Sequence, residues 1–334
     1  IFHVATHAFF KACLFLGSGS VIHTMEHVEH KLQDKGRDVH FDPQDMRFMG
    51  GLRTYMPSTY KTFLIATVAI AGIPPLAGFF SKDEILAMVF NAGTGEYFGS
   101  IYIVLWSVGI ITAFLTAFYM FRLTLTTFHG SFKLPKKIKE AEGSEAMLHE
   151  SPATMTIPLW VLAFLATVGG FMGIPNFIVE TFTHEEAHIN WLHDFFKNVV
   201  ADIHLHLSHP VEWALMGTSI VVAVSGVWMA FRMYNNDQQE ESDAAIADRF
   251  KGIYRLWKDK YNLDEIYEGL ISDPLVRFSD RVLAVFDMKV VDGIVNAIGG
   301  TVRISGSLFR YIQTGVVSSY AYAFVIGVIV ILYL

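Results

Sequence analysis

Three side chains near the start of this chain could pass a proton between them: His3, His7 and Lys11. On a helix their i, i+4, i+8 spacing makes one stripe, with ~6 Å of axial rise between neighbours. Histidine titrates near neutrality, and a desolvated lysine can be lowered several units towards it, so such a row with water between its members can relay protons. Two other readings stay open, the histidines as structural hydrogen-bonders or as a metal pair. The stripe offers no acidic or thiol third ligand, so no metal is expected.

A second group, Lys82-Asp83-Glu84, follows a different logic. Adjacent carboxylates favour the charged ammonium while burial opposes it. A lysine balanced in this way can change protonation when a nearby charge or water column changes. A third pattern, His184-Glu185-Glu186-Ala187-His188, fits the H-E-x-x-H signature of zinc peptidases. It lies in an acidic, His-rich loop with no long amphipathic helix evident around it. Its third ligand would have to come from His193, His204, His206 or His209. A solvated polar loop, or adventitious metal binding there and at His23, His27 and His30, is the expected reading.

The element that must position Lys82 is Lys61–Phe90. Its first part is apolar enough to cross a bilayer, but Pro74 and Pro75 interrupt the helix and Gly72 and Gly78 loosen the flanking backbone. Inside a membrane, a broken helix is tolerated only where protein or water satisfies the freed backbone groups. Ionisable residues beside such a break mark a transport site. The competing reading ends the helix at Pro74 and leaves Lys82 in an ordinary loop.

Composition sets the class. Half of the 334 residues are hydrophobic (52%) and only 17% are charged, which is membrane composition. The single Cys13 excludes a disulfide framework or a Cys-based metal site, and the net charge of -7 with no RNA or DNA motif argues against nucleic acid. Ile1 falls within a helical pattern, so the sequence is expected to be the carboxy-terminal part of a longer protein.

The expected fold is all-α: a polytopic bundle of about six spans, at 1–22, 61–90 (broken by Pro-Pro), 101–121, 157–174, 211–231 and within a terminal anchoring segment 314–334. Loops after the first, third and fifth spans are rich in Lys and Arg, while those after the second and fourth are nearly devoid of them. That alternation places the basic loops in the cytoplasm. A charged linker occupies 234–260. Over 261–313, Leu263, Ile266, Leu270, Leu275, Phe278, Val282 and their successors recur at three- and four-residue steps. Such a helix is too polar to span and lies along a surface. After Pro274 it could run roughly 40 residues, or ~60 Å; the alternative is a linker of shorter helices broken at Gly299-Gly300.

Thr6–His23 (THAFFKACLFLGSGSVIH), Met49–Arg53 (MGGLR) and Gly78–Leu86 (GFFSKDEIL), in this order, resemble the subunit L family of antiporter-like subunits of bacterial proton-pumping NADH:quinone oxidoreductase, respiratory complex I. The likeness extends to Tyr261–Glu265, Val291-Asp292-Gly293 and Gln313-Thr314-Gly315. It implies that 1–233 is the carboxy-terminal part of an antiporter-like proton-translocating domain in the bacterial plasma membrane. It also implies that 261–313 is a lateral helix bracing neighbouring antiporter-like subunits. Lys11, Lys82, His3, His7 and Asp83 then belong to a hydrated proton-transfer axis. NADH and quinone are bound by other subunits, and this chain is expected to carry no cofactor of its own. Multisubunit cation/proton antiporters and membrane hydrogenases share the core motifs, and a non-transporting structural clamp is the reading from another class.

Overall fold

A computed structural model describes residues 1–34, 40–94, 99–133, 147–183, 191–196, 207–235 and 239–334. Among them the secondary structure is helical, without a strand. The chain forms two compact units, Ile1–Ile246 and Ala247–Leu334.

The first unit opens with α1 (Phe2–Asp34), which outruns the expected end of the first span at Ile22. Thr24, Met25, Val28 and Leu32 are buried, so an apolar face persists beneath the His- and Glu-rich exterior and keeps the polar stretch helical. Helix α2 (Pro57–Ala71) and helix α3 (Ala77–Gly93) follow, with Pro74-Pro75 between them. Helix α4 (Gly99–Phe128) is longer than the sequence suggests, because Arg122 and the threonines after it continue the turn rather than open a loop. Arg122 reaches Asp243 at 3.0 Å, and the Tyr234 hydroxyl donates to the same carboxylate at 2.7 Å.

Helix α5 (Ala153–Val168) tightens into a 3-10 turn at Gly169–Gly173. The short helices α6 (Asn176–Thr183) and α7 (Trp191–Phe196) flank residues 184–190, so the His184–His188 pattern lies outside the described residues. His204 and His206 lie outside them too. Helix α8 (His209–Tyr234) packs on α4 through small residues such as Ala117, Ala223 and Ala230, all buried. The main core joins α1, α2, α4 and α5 around Phe10, Met25, Phe63, Phe128 and Leu159. The stretch read as a charged linker is helical from α9 (Gln239–Arg249) into α10 (Lys251–Lys258).

Four helical segments are long and apolar enough to cross a membrane: Phe2–Asp34, Gly99–Phe128, Ala153–Gly173 and His209–Tyr234. Helices α2 and α3 have 15 and 17 residues, each too few alone.

In the second unit, α11 (Lys260–Ile312) is a long helical run that meets α12 (Val317–Tyr333) at 89°. Three π-helical turns, at Glu268–Ser272, Ser279–Leu283 and Asp287–Val291, interrupt the α-helical pattern. Pro274 opens a helical segment in its first turn, where its missing N–H costs nothing. Gly299-Gly300 lies within the unbroken Asp292–Ile312 helix, so no division occurs there. Leu270, Leu275 and Phe278 on the apolar stripe are exposed.

Candidate functional site

The site begins where α2 stops. The last carbonyls of a helix lack intrahelical partners, and Pro74 and Pro75 have no N–H to offer them. Gly72 takes the left-handed conformation (φ 79°), and its N–H bonds back to Val68 and Ala69. Ile73 N–H also reaches the Val68 carbonyl, at 3.3 Å. The Ile70 carbonyl is met instead by the Lys82 ammonium, which donates to it at 2.8 Å. The amine thus rests at the negative end of the α2 dipole. Gly78 permits this approach, since a β-carbon there would overlap the Ala69 carbonyl oxygen.

The neighbours of Lys82 face other helices. Ser81, fully buried, lies 2.9 Å from His3 Nδ1 and accepts from the Thr6 hydroxyl at 2.9 Å. With Thr6 as donor, Ser81 gives its own proton to Nδ1, and a neutral His3 carries its ring proton on Nε2. Asp83, 5% exposed, accepts from Ser219 of α8 at 2.9 Å. The sequence pairs Asp83 with Lys82 as a local counter-charge; in the fold its carboxylate is turned to α8. The helical period separates adjacent residues by about 100° of rotation, which accounts for the difference.

His3 and His7 stack obliquely with ring centroids 5.8 Å apart, and His7 meets Phe10 edge-on at 5.4 Å. The Lys82 charge is near enough to bear on both imidazoles. Lys11 lies farther along the stripe, its ammonium 5.4 Å from the Phe15 ring centre. It lines a cavity of about 200 Å³ between α1, α2 and α4, and Ile70 lines the same cavity. Two walls of one space therefore carry Lys11 and the residue whose carbonyl holds Lys82. The other reading of the histidines, as hydrogen-bonders, has a partner for His3 in Ser81.

A second polar group is not legible in sequence. Glu150 accepts from the Ser58 and Thr59 N–H groups at 2.6 and 3.3 Å and from the Thr59 hydroxyl at 2.6 Å. It therefore caps α2 from outside the helix, beside Pro57 at the helix start. The Ser20 hydroxyl contacts both Thr59 and Ser151, and His149 Nε2 lies 3.1 Å from His27 Nδ1.

Two family models match. One, described as NADH:quinone oxidoreductase/Mrp antiporter, TM, covers residues 1–116; the other, described as the transmembrane segments of a complex I NADH dehydrogenase C-terminus, covers 111–271. The chain is 41% identical to NAD(P)H-quinone oxidoreductase chain 5 of Picosynechococcus sp., over 96% of this chain and 46% of that protein. It is 34% identical to NADH-quinone oxidoreductase subunit L of Neisseria meningitidis, over 99% of this chain and 48% of that protein. The chain belongs to the antiporter-like membrane subunits of complex I. It spans about half the length of the curated relatives it matches. In this complex I family member, His3, His7, Lys11, Lys82 and Asp83 all fall in the first matched segment, and Ser219 in the second.

Proposed function

We propose that the chain is the proton-translocating carboxy-terminal part of a NADH:quinone oxidoreductase membrane subunit, working in a bacterial plasma membrane. Protons move along an axis of His3, His7, Lys11 and Lys82, with Asp83 beside it, driven by quinone reduction in other subunits. The α2–α3 pair serves as one broken crossing, and the basic loops face the cytoplasm. Residues 1–233 make up the antiporter-like part, 234–260 a connector, 261–313 a lateral helix bracing neighbouring membrane-arm subunits, and 314–334 its anchor. The chain itself binds neither NADH nor quinone.

The observation that carries this reading is the Lys82 ammonium on the carbonyl that the helix break leaves open. An amine held by a backbone oxygen rather than by a carboxylate, within a membrane interior, can exchange a proton with little side-chain movement. Replacing Lys82 by Ala in the full complex tests it. NADH-driven proton uptake by inverted vesicles should fall to background while the complex assembles; full uptake would leave only the structural clamp. The match to a family that includes Mrp antiporters favours one other reading, cation/proton exchange. Sodium-dependent proton movement in vesicles lacking the NADH-oxidising subunits would support that instead.

A further inference from the structure

The stripe that carries Lys11 does not end there. Ser18, two helical turns on, lies on the same face of α1, and its hydroxyl donates to the Leu14 carbonyl at 3.0 Å, leaving its lone pairs free to face the cavity beside it. Ser18 lines the Lys11 cavity and also a second one of about 320 Å³. Phe63 of α2 and Leu123 of α4 are shared between the two in the same way. The second cavity continues past Thr127 to Asp45, in the connection between α1 and α2. Both spaces have room for several waters at ~30 Å³ each, and each has polar groups on its wall to hold them.

We propose that these two cavities are one interrupted access route between Lys11 and the face bearing the α1–α2 connection, with Phe63 and Leu123 as a hydrophobic gate and Ser18 as the polar step through it. The shared residues decide this. Where two cavities meet at an aromatic ring and a leucine, water is excluded until one of them shifts, and apolar constrictions of this kind control passage by dewetting. Phe63 is only 3% exposed and is wedged against α1, where Gly17 gives it room. Asp45 at the mouth is held by Arg47 through its main-chain N–H and its guanidinium. The carboxylate stays ionised there and gives the entrance an anionic group that attracts hydronium.

The route rests on the reading of Lys11 as a proton-exchanging group, but its test does not use pumping. Silver ion, small and confined to water, serves as the probe. Cysteines are introduced singly as Thr127→Cys, Ser18→Cys and Lys11→Cys in a Cys13→Ala background of the full-length subunit. Intact complex in vesicles is exposed to silver nitrate from one side, and the thiol left unreacted is counted by mass spectrometry after denaturation. From the loop face, Thr127→Cys should react quickly and Lys11→Cys slowly. Adding Leu123→Ala should raise the Lys11→Cys rate at least tenfold; Leu123→Val, a smaller trim, is the second variant should that one not assemble. Two outcomes overturn the route: a Thr127→Cys thiol inert from the loop face, as a resident lipid chain would make it, or a Lys11→Cys rate indifferent to both Leu123 variants. Proton uptake by a separate Lys11→Ala complex tests the underlying reading, so the two can fail independently.

Discussion

The Lys82 ammonium donates to the Ile70 carbonyl across a twelve-residue separation that contains both prolines of the break. Neither partner would be available in a continuous helix. Had α2 run on, Ile70 would bond to the N–H four residues later, which is Pro74 and has none. The amine and the break are therefore one device: the defect in the ladder creates the acceptor, and the side chain that fills it is titratable. Truncating Lys82 leaves that carbonyl unpaired at about 1–3 kcal/mol. It also removes the cost of burying an ammonium, which is of similar or larger size. The stability of the complex should therefore change little, and the effect should fall on proton movement.

Replacing Lys82 by Arg separates charge from proton exchange. A guanidinium still donates to the Ile70 carbonyl and keeps the positive charge, but it does not release a proton at accessible pH. Assembly should survive, while NADH-driven proton uptake should drop more than about tenfold, equivalent to over ~1.4 kcal/mol of barrier. Uptake at the wild-type rate would show that the residue acts as a fixed charge.

Gly78→Ala should damage the same site without touching a titratable group. The added methyl would overlap the Ala69 carbonyl oxygen, so α3 must move off the end of α2. Overpacking of this kind costs about 1–3 kcal/mol, and it displaces Lys82 from Ile70. Thermal denaturation of the purified complex should begin at a lower temperature, and proton uptake should fall in parallel. A variant with unaltered uptake would mean that the close approach of α2 and α3 has no part in function.

Much of this site is legible in the sequence because prolines and ionisable residues within apolar runs are rare enough to point at it. Pro74, Pro75, Lys82 and the His3–His7–Lys11 stripe are all visible that way. What the chain does not advertise is who faces whom. Ser81 meets His3 and Asp83 meets Ser219 because neighbouring helical residues diverge, and no local pattern names a partner 78 or 136 positions away. Helix ends escape the sequence for a related reason. The continuation of α1 beyond Ile22 depends on the burial of Met25, Val28 and Leu32 against other helices, which hydropathy over a window averages away.

Glu150 gives a prediction from such an unadvertised contact. Its carboxylate satisfies the Ser58 and Thr59 N–H groups, which have no partner within α2. Glu150→Ala should destabilise the start of α2 by about 1–2 kcal/mol, in line with loss of an N-cap, and Glu150→Gln by less. Hydrogen exchange at Ser58 and Thr59 in the complex should accelerate for the alanine variant. Unchanged exchange would assign the capping to water.

The last prediction concerns pH and the far end of α2. The Arg53 guanidinium, which can only donate, lies 3.4 Å from His129 Nδ1, while Nε2 lies 3.0 Å from the Tyr60 hydroxyl. His129 is therefore neutral with its proton on Nε2, and burial first, then the Arg53 charge, lowers its pKa below the ordinary 6.5. Above 6.5 the ring is neutral whether folded or unfolded, and this contribution to stability is complete. As pH falls below that value the unfolded chain takes up a proton that the fold resists, so stability is lost down through the lowered folded value. His129→Gln should remove this dependence, because its amide can accept from Arg53 and donate to Tyr60 without titrating. The melting temperature of the complex, followed from about pH 7.5 to about pH 5.5, should decline more steeply for the wild type than for His129→Gln. Parallel slopes would place the acid sensitivity on another group.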